Sequence, residues 1–376
     1  MVRFIHTADW QLGMVRHYLD AESQARYSQD QFEAIRSIGQ LAKEKKADFI
    51  VVCGDVFENN MVDRKTVLKT LEALRIIPVS IYLLPGNHDP MDSSSVFTCS
   101  DFLKNKPANV TVLSDDVPLS VAPLMELVPA PWTSKRPYCD PLVKVCSQLG
   151  MKEGTVRIAV GHGAVDALSP QHQGPSTIQL NALNSLIEQG RIHYVALGDK
   201  HSTTKVAERI WYSGSPLATD FDEINSGNVL LVDIDDRRCQ VEECKLGTWR
   251  FIEKKFAIPG DQDIDQVEQY LDSLTGKDRT ILKLGLKGSV SIGGKSKLDS
   301  LVETHRDLFA AIEVWKQETD ITIEPSEDDL RRLNLNGFAK STLERLITLT
   351  KEGGPKAEAA KEAMTLLYRL SRGVAE

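Results

Sequence analysis

The stretch Leu84-Pro85-Gly86-Asn87-His88-Asp89-Pro90 sets an amide, an imidazole and a carboxylate side by side, directly after the apolar run Ile81-Tyr82-Leu83-Leu84. Pro85 and Gly86 break the strand pattern there. One account is a turn in which Asn87 and Asp89 cap backbone groups. The other is a ligand site at the carboxyl end of a strand. The same juxtaposition recurs. Phe4-Ile5-His6-Thr7-Ala8 runs into Asp9 and Gln11, two apart and so on one side of an extended segment. Phe49-Ile50-Val51-Val52-Cys53 leads to Gly54-Asp55, Val156-Arg157-Ile158-Ala159-Val160 to Gly161-His162-Gly163, and His193-Tyr194-Val195-Ala196-Leu197 to Gly198-Asp199-Lys200-His201. Each has a bland reading: Asp9 as a strand-ending cap, Gln11 as a loop amide, His162 as a satisfied structural histidine. Collected, Asp9, Gln11, Asp55, Asn87, His88, His162, Asp199 and His201 are oxygen or imidazole donors with no cysteine among them. That set suits manganese, iron(II) or magnesium better than a thiolate zinc site. It also exceeds the needs of one ion. Two ions about 3.5–4 Å apart, sharing a carboxylate, can activate a water and clamp both oxygens of an in-line displacement at phosphorus. The donor set by itself points to phosphoester hydrolysis.

Such donors need elements that deliver them to one place. Residues 22–45 read as an amphipathic helix, with Phe32, Ile35, Ile38 and Leu41 on one face, and 64–74 as a second. Strand, helix, strand, helix, strand over residues 3–84 is the βαβ signature of an α/β fold with a parallel sheet. Short strands at 110–113 and within 119–127 follow, then helices at 142–149 and 180–188 on either side of the 156–160 strand. The pattern at 228–234 predicts a second sheet packed against the first. Lys135 and Arg136 lie in loop material, where a solvated surface is the simpler account than a phosphate contact.

From about residue 248 the character changes to a small α+β module: strands at 251–258, 280–286 and 312–315, helices at 264–274 and 297–311. It holds no strand-end donor cluster, so it binds or orients rather than catalyses. Its Lys283, Lys287, Lys295 and Lys297 read as a solvated face or as a DNA contact. A helical tail follows. Ser326-Glu327-Asp328-Asp329 and Ser341-Thr342-Leu343-Glu344 fit capping-box spacing. Ala360, Ala363, Met364, Leu367 and Leu370 form an apolar stripe, either core contact or a docking face. The predicted domains are 1–247, 248–325 and 326–376.

Bulk properties narrow the class. No run of about 18 apolar residues is present, so no membrane span is expected, and the N-terminus lacks a signal-peptide pattern. Six scattered cysteines without a C-x-x-C pair argue for reduced thiols in a cytoplasm. A net charge of −8 is not the basic footprint expected of a nucleic-acid binder; acidic residues held for metal ions or a plain solvated surface account for it equally.

In order, Asp9-x-Gln11, Gly54-Asp55, Gly86-Asn87-His88-Asp89, Gly161-His162 and Gly198-Asp199-x-His201 resemble the calcineurin-like metallophosphoesterase superfamily. Within it, His6-Thr7-Ala8-Asp9-Trp10-Gln11-Leu12-Gly13 and Tyr212-Ser213-Gly214-Ser215-Pro216 resemble the SbcD-type nuclease component of DNA double-strand-break repair complexes. The motifs cover roughly the first 220 residues; beyond them the likeness is of architecture. The resemblance implies a four-layer α/β/β/α sandwich with a small α+β capping domain and a helical tail. It implies DNA as substrate, a homodimer, and a coiled-coil ABC-type ATPase partner of the SbcC kind, with no membrane. It further implies two divalent ions, manganese first, with magnesium or iron as alternatives. One would be held by Asp9, Gln11, Asp55 and His201, the other by Asp55, Asn87, His162 and Asp199. His88 would orient the phosphate or protonate the leaving oxygen, and Asp89 would fix the tautomer of His88.

Two positions depart from the family, which has histidine at both Gln11 and Asp199. Gln11 is a weaker neutral donor, and Asp199 adds a third carboxylate, a harder site that favours manganese or magnesium over zinc. The departures motivate an alternative, a weakly active metal-binding scaffold that recruits DNA or an ATPase. A phosphodiesterase or phosphatase acting on other substrates is a further alternative, but one that rarely needs a capping module and a tail.

Overall fold

Residues 2–168, 174–324, 337–352 and 354–371 are described by the computed structural model. The first sheet starts from β1 (Val2–Thr7), α1 (Ala21–Lys45), β2 (Phe49–Cys53), α2 (Arg64–Arg75) and β3 (Ser80–Leu84). Its three strands run parallel through helical crossovers. After α3 (Ser100–Asn105), β4 (Val110–Val112) adds in parallel to β3. The second sheet follows from β5 (Leu119–Ala122), β6 (Met125–Pro129), α4 (Pro141–Ser147), β7 (Val156–His162), α5 (Leu180–Glu188), β8 (Tyr194–Gly198), β9 (Thr204–Ala207) and β10 (Ile210–Tyr212). Its order is β5-β6-β7-β8-β10-β9. The chain then returns to the first sheet through β11 (Asn228–Ile234) and β12 (Cys239–Lys245), giving the order β12-β11-β1-β2-β3-β4. The segment at 228–234 is therefore not part of the second sheet; it pairs antiparallel with β1. Its near-continuous burial reflects a place beside the central strand, which a run of apolar residues cannot distinguish from a place in another sheet.

Three apolar layers separate four layers of structure. One face of the first sheet (Ile5, Ile50, Val52, Leu83) packs on Ile35 and Ile38 of α1 and Leu71 of α2. The other face (Phe4, Phe49, Val51, Tyr82) meets Ile158, Val160, Tyr194 and Ala196 of the second sheet. The outer face of the second sheet (Ala159, Val195, Leu197) is covered by Leu142 of α4 and Leu183 of α5. This is an α/β/β/α sandwich, each fully buried large side chain contributing roughly 1.5–3 kcal/mol. Because β1, β2 and β3 are parallel, and β7 and β8 are parallel, the carboxyl ends of each set share one sheet edge.

The chain forms two compact units, Met1–Arg16 with Gln24–Trp249, and His17–Ser23 with Arg250–Glu376. In the second, β13 (Arg250–Ile258), β14 (Thr280–Val290), β15 (Ala311–Val314) and β16 (Asp320–Ile323) form a parallel sheet with β14 central. Its core takes in Val267 and Leu271 of α6 (Ile264–Ser273) and Leu298 and Val302 of α7 (Ile292–Arg306). α7 starts earlier than the sequence pattern predicts. Gly293 and Gly294 conceal its first turn, since glycine is a poor helix former, but Ser291 caps it by accepting from the Gly294 N–H. Lys283, Lys287, Lys295 and Lys297 each pair with a carboxylate.

Two helices, α8 (Phe338–Glu352) and α9 (Pro355–Ser371), end the described chain. Ser341 lies inside α8, bonded to the Gly337 carbonyl, so it is not a cap. Ser326-Glu327-Asp328-Asp329 lies outside the described residues, as does the side chain of Leu370. Of the stripe, Ala360 and Met364 are buried, and Met364 joins Ile292, Ile323 and Leu343 in a common cluster. That is core contact. Among the described residues, no helix is long and apolar enough to cross a membrane.

Candidate metal centre

Asp9, Asp55 and Asp199 leave their strands in a conformation that side chains avoid. Their φ angles are +53°, +52° and +99°, and Gln11 is at +44°. Non-glycine residues in the left-handed region cost about 1–2 kcal/mol each, and such strain persists where the surrounding structure over-determines it, often at functional sites. Here the surroundings are a hydrogen-bonded ribbon. Asp9 N–H donates to the Gly54 carbonyl (3.1 Å), Gln11 N–H to Asp55 (3.0 Å), Leu12 N–H to Val56 (3.0 Å), and Glu58 N–H returns to Leu12 (3.0 Å). The loops after β1 and β2 thus extend the sheet past its last paired residues. Gln31 of α1 pins the same loop through the carbonyls of Trp10 and Gln11. Ser215 donates to the Asp9 carbonyl at 2.7 Å, which gives the Tyr212–Pro216 motif a structural task.

Asp9, Asp55 and His162 present ligand atoms within 4.8 Å of one another, all buried. His162 Nε2 lies 2.6 Å from the Asn87 amide, 3.5 Å from Asp55 Oδ1 and 3.8 Å from Asp199 Oδ1. Its Nδ1 is 2.8 Å from the Cys53 carbonyl. A carbonyl only accepts, so Nδ1 carries a proton, and Nε2, which faces the carboxylates, is the atom that would ligate a metal ion once its own proton is displaced. Gln11 and His201 meet at 3.0 Å through Gln11 Nε2 and His201 Nε2. His201 Nδ1 is backed by Thr219 Oγ1 at 2.7 Å and Glu223 Oε1 at 3.1 Å. The glycines that flank the donors leave space for them. A Cβ on Gly54, itself at φ +90°, would lie 2.1 Å from His162 Nδ1, and one on Gly198 would lie 1.9 Å from the Cys53 carbonyl oxygen.

The electrostatics call for a cation. Among the described residues, no lysine or arginine pairs with Asp9, Asp55 or Asp199. Burial raises the Asp9 carboxyl to about 7 and pushes Asp199 up as well. Burial also acts upward on Asp55, but His162 and His88 outweigh it and hold Asp55 below the usual carboxylate range. Burial acts downward on His162, yet Asp55, Asp9 and Asp199 hold it well above its ordinary value. Burial likewise opposes protonation of His201, and Glu223 and Asp9 lift it to about 9. Protons on histidine thus balance clustered carboxylates, and metal ions binding here would displace them. Buried oxygen donors, imidazole nitrogens that face them and the lack of a paired lysine or arginine fit divalent metal ions.

His88 stands differently. Its backbone N–H donates to Asp55 Oδ1 at 2.9 Å, and its Nδ1 lies 2.9 Å from the Glu58 carbonyl. That carbonyl, and not Asp89, sets the His88 tautomer by accepting from Nδ1. Asp89 is fully buried and spends its oxygens on the backbone N–H groups of Gly86 (2.8 Å) and Phe57 (3.0 Å). The expected role fails because the turn needs the carboxylate to tie the loop after β3 to the loop after β2. Glu58, Thr219, Glu223 and Trp132, whose indole donates to the His162 carbonyl at 2.6 Å, were not legible as site residues. Only the run Asp220-Phe221-Asp222-Glu223 after the Ser-Gly-Ser-Pro turn hinted at a local acidic role. A cleft of about 330 Å³ lined by Arg16, Asp199, His201, Thr219 and Glu223, with four further residues, adjoins the centre.

Comparison with known proteins follows the same lines. The chain is 22% identical to the SbcD component of the SbcCD nuclease of Staphylococcus epidermidis over 386 aligned positions, 94% of this chain and all of that protein. It is 30% identical to "DNA double-strand break repair protein Mre11" of Archaeoglobus fulgidus over 91 positions, 23% of this chain and 19% of that protein. A dimetal phosphatase from Danio rerio superposes with a TM-score of 0.39 and 12% identity, over 64% of this chain and 95% of that structure. The family model for calcineurin-like phosphoesterases matches residues 2–203, more than half of the sequence and the segment that carries every candidate ligand. The chain belongs to the calcineurin-like phosphoesterases.

Proposed function

We propose that this phosphoesterase is a DNA nuclease of the SbcD type, cutting phosphodiester bonds in double-strand-break repair. One observation carries the reading: the likeness to the staphylococcal nuclease component runs through both compact units, 94% of this chain, and not through the phosphoesterase region alone. That relative is named as one subunit of a larger nuclease, which supports a second chain here; the partner we propose is a coiled-coil ABC-type ATPase. A homodimer and a cytoplasmic location belong to the same reading.

Asp9, Gln11, Asp55 and His201 would hold one divalent ion, and Asp55, Asn87, His162 and Asp199 the other, with manganese favoured by the carboxylate-rich donor set. Bound there, the ions supply Lewis acidity at the phosphoryl oxygens and a water acidic enough to attack at neutral pH. The chain contributes the rest. Cys53 and Glu223 fix which nitrogen of His162 and His201 faces the centre. Asp55 and the Glu58 carbonyl fix His88 at both ends, so that Nε2–H, when protonated, donates to a phosphate oxygen or gives its proton to the leaving alkoxide. Gln11 and Asp199 both carry side-chain oxygens able to coordinate, which supports a substituted donor set over a decayed one.

Cleavage of linear duplex DNA with manganese tests the reading. Wild-type protein is expected to cut, and His88→Ala to lose roughly 10²–10⁴-fold in rate while still binding metal. Hydrolysis of nucleotides or phosphomonoesters with DNA left intact would overturn the nuclease assignment in favour of a phosphatase. Metal binding without hydrolysis of any ester would favour a recruiting scaffold, the reading that the Gln11 and Asp199 departures suggest.

A further inference from the structure

We propose that Glu223 is a positioning residue that acts through His201 and sets the affinity of one of the two ions. The proposal rests on the two-ion reading above and adds to it a residue outside the donor set. Glu223 sits in a loop that no strand-end pattern marks, yet its side chain is 4% exposed. Its two oxygens accept from the Thr219 backbone N–H (3.2 and 3.0 Å), and Oε1 also meets the Thr219 hydroxyl and His201 Nδ1, the latter at 3.1 Å. Thr219 in turn is held through its carbonyl by the Arg16 guanidinium. The loop thus folds back on itself to aim one carboxylate at one imidazole.

The chemistry follows from what each atom can do. An ionised carboxylate only accepts. Facing Nδ1, it keeps the ring proton there and leaves Nε2 as the donor atom, on the side where Gln11 lies at 3.0 Å. A carboxylate behind a ligating imidazole also strengthens it as a donor. The two histidines are backed unequally: His162 has the neutral Cys53 carbonyl, whereas His201 has the Thr219 hydroxyl at 2.7 Å together with the Glu223 carboxylate at 3.1 Å, to which that hydroxyl itself donates. The anionic backing stands on the ion that takes Gln11. Each proposed set has two carboxylates, one imidazole and one amide, Gln11 or Asn87, so the carboxylate behind His201 is what distinguishes them, and its effect is confined to one ion.

Manganese titration of the full chain, by calorimetry and by the electron paramagnetic resonance of free Mn²⁺, tests this with Glu223→Gln and Glu223→Asp. Wild type is expected to take two ions. Glu223→Gln should weaken one of them by roughly 10–100-fold, leave the other unchanged and leave the unfolding midpoint of the chelated protein near that of wild type. Glu223→Asp should restore part of the loss. Two unchanged affinities in Glu223→Gln, or two equal losses with a lowered midpoint, would overturn the proposal. A measurement on wild type stands if the variant does not fold: long-range ¹⁵N–¹H spectra of the Mg²⁺-loaded protein should place the His201 proton on Nδ1, and a proton on Nε2 would overturn the assignment. A wild-type chain that takes no ions at all sinks the two-ion reading itself, a result distinct from either.

Discussion

Asp199 combines two costs at one residue. Its backbone is at φ +99°, and burial, with Asp55 nearby, pushes its carboxyl up. Glycine adopts that backbone freely and removes the third carboxylate. Asp199→Gly is therefore expected to raise the stability of the chelated protein by about 1 kcal/mol while weakening the ion shared with Asn87 and His162. Thermal unfolding in excess chelator, beside a manganese titration, checks both halves, and a lowered midpoint in chelator contradicts the strain argument. His162 and His88 show the same economy at smaller scale: each has one ring nitrogen on a backbone carbonyl, which leaves the other for chemistry.

Strand β1 also holds the two sheets together through a residue with no catalytic task. His6 reaches across the interior, with Nε2 3.0 Å from the Leu197 carbonyl and Nδ1 3.1 Å from the Tyr194 hydroxyl of β8. Burial lowers it to about 3 despite the bond to Leu197. The native state keeps this ring neutral where the unfolded chain, titrating near 6.5, is protonated. Its contribution is present above about pH 6.5 and is lost as pH falls toward 3. Urea unfolding in chelator should therefore show a slope that is shallower in His6→Asn, by up to about 1.4 kcal/mol per pH unit between those limits. An unchanged slope would mean that His6 titrates alike in both states. At this scale the sequence is most readable. Apolar runs ending in Asp9, Asp55, Asn87, His162 and Asp199 predict parallel strands, and β1, β2, β3, β7 and β8 are there. The membership of β11 was not legible, because a buried run carries no record of which sheet buries it. Nor were the supports: the carbonyls of Cys53 and Glu58 belong to the backbone, and Glu223 reaches His201 only after the chain has turned back through Thr219. Asp89 misleads because adjacency to His88 in sequence looks like contact, whereas both its oxygens are taken by Gly86 and Phe57.

The whole chain carries −8, and part of that negative charge is gathered in the carboxylates of the centre, so the metal-free protein repels a polyanion. Metal loading and phosphate binding are accordingly expected to go together. Loading also stabilises by mass action, by about 2.7 kcal/mol at a hundredfold excess over Kd for one site. In calorimetry, manganese should raise the transition of the unit that contains Asp9–His201 and chelator should lower it, with the unit built on β14 unmoved. A transition that ignores manganese would refute the fit of the donor set to metal. The ribbon that joins the loops after β1 and β2 has one more consequence. Loops at the mouth of a site ordinarily exchange their amide hydrogens early. Here Asp9, Gln11, Leu12 and Glu58 spend their N–H groups on neighbouring carbonyls. They should exchange with deuterium on the schedule of the sheet interior, so that the candidate ligands Asp9, Gln11 and Asp55 are released only when the sheet itself opens.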